Sequence, residues 1–92
     1  MDQLQPLPDD IQWVEAIGAD GQKSTNITRY AYSASREAVI VEFVKNKKIW
    51  QYAGPTAISL FVALQAAPSQ GSFFFKHIRN NEDLTVTELK GE

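Results

Sequence analysis

Ninety-two residues, 43% hydrophobic and 22% charged, suffice for one domain with a modest core and lie outside the disordered regime. The chain has no cysteine and a single histidine, His77, which excludes disulfides, thiolate metal sites, cysteine nucleophiles and paired-histidine centres. Its net charge of −2 hides a split: residues 24–80 carry seven basic side chains against Glu37 and Glu42, whereas both ends are acidic, a pattern that suits an anionic partner.

Met1 to Asp10 is acidic, bears Pro6 and Pro8, and lacks the basic start and apolar run of a targeting signal. The expectation is a flexible acidic lead over residues 1–10 and a cytoplasmic protein, since no stretch reaches the ~18 apolar residues of a membrane span. Ile11 to Ile17 has the apolar content of a short strand or helical turn, punctuated by Gly18, Asp20 and Gly21. Ile27 to Tyr32 reads as a strand with Tyr30 and Tyr32 on one face, and Ser33 to Arg36 as a polar turn.

The strongest local signal is Glu37 to Val44, polar Lys45 to Lys48, then Ile49 to Ala53, which together predict a β-hairpin. A two-residue loop at Asn46-Lys47 would set Phe43 opposite Trp50 and Val41 opposite Tyr52. Val39, Val41, Phe43, Trp50 and Tyr52 then share one face, and Ile40, Glu42, Val44, Ile49 and Gln51 the other. Such a loop favours glycine where Lys47 stands, so a longer loop stays open. Pro55 suits the first position of a helix that Pro68 ends, with Ile58, Phe61, Val62 and Leu64 or Gln65 at helical spacing. After the corner Ser69-Gln70-Gly71, Ser69 or Ser72 can cap a second helix carrying Phe74, Phe75 and Ile78. Leu84 to Leu89 alternates with threonines, so residues 81–92 form an acidic tail able to add an edge strand.

From Ser24 onward these residues resemble the KTSC domain family. Ser24-Thr25-Asn26-Ile27, Tyr32, the strand Val39-x-Val41-x-Phe43, the aromatic pair Trp50-x-Tyr52, Pro55, Ser69-x-Gly71, Phe73-Phe74 and Ile78-Arg79 follow the family's order over about residues 24–80. The chain departs from the family pattern at the hairpin glycine (Lys47), the first tyrosine of the pair (Trp50), the residue before the proline (Gly54) and an asparagine after the aromatic pair (Phe75). The resemblance implies a small domain found at the C-terminus of some lysyl-tRNA synthetases and as stand-alone proteins of bacteria and phages, with RNA binding as the conjectured role.

The fold expected is one α+β domain over residues 11–80: a small antiparallel sheet of three to four strands with a central β-hairpin, then two short helices packed on one face. No nucleophile elbow or phosphate loop is present, and His77 near a helix end suits the helix dipole. The sequence therefore points to a binding module, not an enzyme, without cofactor or metal. For nucleic acid, the candidate residues are Trp50 and Tyr52 as stacking surfaces, edged by Lys45, Lys47 and Lys48, and widened by Arg29, Lys76 and Arg79. Trp50 and Tyr52 serve equally as core beneath the helices. Ser69 and Gly71 either close a tight corner or hold an anion at free N–H groups. The alternative function is protein interaction or self-association as a monomer or weak homodimer, through a hairpin edge or through Trp13 and Leu84 to Leu89.

Overall fold

A computed structural model describes residues 4–18 and 21–91. Met1 to Gln3 of the acidic lead, Asp20 and Glu92 lie outside the described residues. The elements in chain order are β1 (Val14–Glu15), β2 (Ile27–Ser33), β3 (Ala38–Phe43), β4 (Ile49–Ala53), α1 (Ala57–Ala66), α2 (Gln70–Phe73) with a π-helical continuation (Phe74–Ile78), and β5 (Thr85–Leu89). The strands form one antiparallel sheet in the order β1-β2-β3-β4-β5. The α+β class is as the sequence predicts, but the sheet has five strands, not three or four. The increase comes from its short edges, where two-residue β1 carries little periodicity and β5 alternates threonine with apolar residues.

The hairpin register differs by two residues from the predicted one: Val41 pairs with Trp50 and Val39 with Tyr52. Its loop holds four residues, 44–47. Phe43 N–H donates to the Lys48 carbonyl at 3.0 Å and Lys47 N–H to the Phe43 carbonyl at 3.1 Å. Lys47 takes the left-handed φ of 59°, the conformation that made glycine the expected residue there. An even shift leaves every side chain on its predicted face. The β2–β3 turn repeats the device, with Glu37 at φ 51°.

One sheet face carries the larger core. Tyr30, Val39, Val41 and Tyr52 pack with Ala57, Leu64, Phe74 and Ile78 from the helices. Phe74 is the hub, with its ring edge-on to Tyr52, Phe43 and Phe75 at centroid distances of 5.3, 5.5 and 5.5 Å. A bulge between Ile27 and Arg29 breaks the two-residue alternation and turns Ile27 onto this face together with Tyr30. The first helix is rotated from the predicted face: Ala57 and Leu64 are buried, whereas Ile58 and Val62 are 45% and 57% exposed. With no charged residue between Gly54 and Pro68, the helix pattern has no polar side to fix its rotation. Pro55 also sits one residue ahead of the cap Thr56, not at the first helical position.

The second face carries Ile40, Ile49 and Leu89, each at most 1% exposed, under Leu7, Ile11 and Trp13. Leu7, from the segment expected as a flexible lead, thus joins Ile11 and Trp13 in a covering strap. Lys90 N–H donates to the Gln5 carbonyl at 2.7 Å. Asp10 accepts from the Ser33 hydroxyl at 2.8 Å and from Ser35 N–H at 2.9 Å. Trp13, a candidate partner surface in the sequence, packs instead against this inner cluster and under the Arg29 guanidinium, 4.1 Å from its ring centroid.

Candidate nucleic-acid interface

On the helix face of the sheet, a groove of about 550 Å³ lies between the hairpin and the end of the π-helical segment. Three sequence-distant regions build it. The hairpin supplies Phe43, Lys45, Asn46, Trp50 and Tyr52; the segment before β2 supplies Thr25 and Asn26; the helix end supplies Phe75, Arg79 and Asn80, with Val86 of β5 at the margin. Aromatic surface, three amides and two cations line it, and among the described residues no carboxylate does.

Phe75 and Arg79 face the groove together from the π-helical segment and its C-terminal end. Its bonds run from i to i+5, as in Arg79 N–H to the Phe74 carbonyl at 2.9 Å. Positions four apart share one side of a helical segment, and the Arg79 guanidinium lies 4.9 Å from the Phe75 ring centroid. Phe74, one residue earlier, stays in the core. Local π-helical turns recur at functional sites for this reason: one inserted residue re-aims the side chains that follow.

The predicted site residues therefore divide. Lys45, Trp50, Tyr52 and Arg79 meet in the groove. Lys47 and Lys48 are exposed on the adjoining hairpin tip, and Lys76 is exposed on the helix, but none of the three lines the groove. Arg29 belongs to the opposite face, where its Nε binds Glu42 Oε1 at 2.6 Å and its guanidinium covers Trp13; it does not widen the basic surface. The alternation that put Tyr30 and Tyr32 on one face already carried that answer. Tyr52 is core, at 3% exposure, whereas Trp50 is half-buried and open to the groove. Burial pushes the Tyr52 phenol up to about 12, against a smaller opposing pull from Arg79, so at neutral pH it offers a hydroxyl and no charge.

The helix corner is closed. Ser69 caps α2 by accepting from Ser72 N–H at 3.4 Å. Gly71 lies so close to the chain before β2 that a Cβ there would stand 2.6 Å from Ser24 Oγ and 3.1 Å from Asn26 Nδ2. The glycine is a packing requirement, and it is what brings Asn26 to the groove wall. Gln70, read in the sequence only as part of a polar corner, is buried and accepts from Ile17 N–H at 2.8 Å. Sequence reasoning also missed Thr25, Asn26, Phe43, Asn46, Phe75, Asn80 and Val86 as groove residues. Phe75 had one available signal, its spacing of four from Arg79 on a predicted helix.

No helix is long and apolar enough to cross a membrane among the described residues. A search of curated proteins finds no match to the chain. The pattern that defines the KTSC domain matches residues 23–81, a span that holds β2 to β4, both helices and all of the groove lining except Val86. The chain belongs to the KTSC domain family.

Proposed function

We propose that the protein is a non-catalytic binding module for single-stranded RNA, which it holds in the groove between the hairpin tip and the π-helical segment. The observation that carries this reading is the lining itself: Trp50, Phe43 and Phe75 beside Lys45 and Arg79, with no carboxylate among them. Unpaired bases stack on aromatic faces while cations follow the phosphates. Trp50 and Phe75 stand where the family pattern has tyrosine and asparagine, so two of this chain's departures enlarge the stacking surface. Asn26, Asn46 and Asn80 offer amides to base edges or sugar hydroxyls, and the family's occurrence beside lysyl-tRNA synthetases favours RNA.

Fluorescence anisotropy with a labelled single-stranded RNA tests the reading. Affinity should fall with salt with a log–log slope of about −0.7 per contacted phosphate. Trp50→Ala should cost about 1–3 kcal/mol of binding, and Lys45→Glu or Arg79→Glu should weaken it at least as much. Lys47→Glu and Lys48→Glu, just outside the groove, should act less. No binding at low salt, or binding indifferent to Trp50, Lys45 and Arg79, would overturn the proposal.

A second reading, association through α1, is favoured by exposed Ile58 and Val62, one helical turn apart on a helix without charges. Light scattering coupled to size exclusion tests it: a dimer that Val62→Lys converts to monomer supports this reading, and a monomer at high concentration excludes it.

A further inference from the structure

A second groove lies between the strap and α1, with opposite electrostatic character. It spans about 660 Å³ and is lined by Asp9, Asp10, Ile11, Gln12, Val14, Tyr32, Phe61 and Gln65. No basic side chain lines it among the described residues. Tyr32 and Phe61 are packed at 5.5 Å with their planes 31° apart, so they present adjoining aromatic surface. Asp10 is held by Ser33 and Ser35; Asp9 is exposed beside it. Gln12 comes from the strap side and Gln65 from the helix side.

We propose that this groove takes a basic side chain, arginine or lysine, presented on an extended peptide segment of a partner protein. An organic cation is attracted to ring faces within about 6 Å, and the carboxylates of Asp9 and Asp10 add charge-assisted hydrogen bonds. The groove is larger than one guanidinium or ammonium group, and its two glutamine amides supply donors as well as acceptors. A peptide backbone uses both; a polyamine, which carries no acceptor, uses only one. The inference is independent of RNA binding, since no residue is shared between the two grooves.

The test is a backbone and side-chain NMR titration of the whole protein with the capped tripeptide Gly-Arg-Gly, its citrulline counterpart, which is similar in shape and uncharged, and spermidine. The arginine peptide should give saturable shifts at Gln12, Tyr32, Phe61 and Gln65, and citrulline should not. Asp9→Asn breaks no hydrogen bond of the fold and should weaken the arginine peptide about threefold to fivefold. Shifts that fail to saturate, that citrulline reproduces, or that ignore Asp9→Asn would overturn the proposal. So would a response to spermidine without one to the arginine peptide.

Discussion

The two faces of the sheet are finished by different means. On one, α1, α2 and the π-helical segment lay Leu64, Phe74 and Ile78 over Tyr30, Val39, Val41 and Tyr52. On the other, Ile40, Ile49 and Leu89 are covered only by Leu7, Ile11 and Trp13 from an irregular strap. The first cover lies within residues 23–81, which define the family; the strap, β1 and β5 lie outside them. The helix face is therefore built within the span that the family pattern covers, while the second face is closed by segments outside it. A strap with few backbone hydrogen bonds and a small apolar contact should open at lower free energy than a helical layer.

The largest expected effect tests the helix face. Phe74→Ala should cost about 3–5 kcal/mol, because it removes a fully buried ring and leaves a cavity among Tyr52, Phe43 and Phe75. Chemical denaturation should show a lower midpoint for the whole molecule. Next comes Trp13→Ala, at about 2 kcal/mol for a half-buried ring that also seats Arg29. Hydrogen exchange should then accelerate at Lys90, whose N–H binds Gln5, and at Ser35, whose N–H binds Asp10, before the buried amides of β3. Uniform acceleration at all of these sites would make the two faces one cooperative unit.

The helix face was the more legible of the two. Val39, Val41 and Tyr52 alternate, and Phe74 and Ile78 sit four apart, so periodicity set each group on one face, although it left Tyr52 open between core and stacking surface. The strap was not legible, because Leu7, Ile11 and Trp13 obey no helix or strand period and sit among Pro6, Pro8 and two aspartates. Their burial depends on a tertiary surface that local pattern does not reveal. The groove was half legible. Lys45, Trp50 and Arg79 were singled out by chemistry, but Asn26 reaches it through the close approach at Gly71, and Phe75 stands four residues before Arg79 on the helical segment. The close approach leaves no periodic trace, whereas the spacing of Phe75 from Arg79 does.

A smaller effect comes from the hairpin turn, which both faces share. Lys47 holds a left-handed φ of 59°, so Lys47→Gly should stabilise the fold by up to about 1 kcal/mol. Lys47→Ala removes the same charge and keeps the strain, so it should not. Because β3 and β4 contribute to both cores, the glycine variant should slow exchange on both faces together, unlike Trp13→Ala.

The smallest effect isolates the strap by pH. Hydrogen bonds from Ser35 N–H and the Ser33 hydroxyl hold the Asp10 carboxyl below its ordinary value of 3.8. A depressed carboxylate contributes stability that is complete above the unfolded value and fades as pH falls through the folded one. Acid should therefore loosen the strap below about pH 4, and Asp10→Asn should flatten that part of the profile. Carboxyl-detected NMR titration reads the Asp10 value directly, while exchange at Ser35 N–H reads the clasp. An Asp10 that titrates at its ordinary value would mean that the carboxylate does not hold the strap. Covering of Ile40 and Ile49 would then rest on the apolar contacts of Leu7, Ile11 and Trp13 alone.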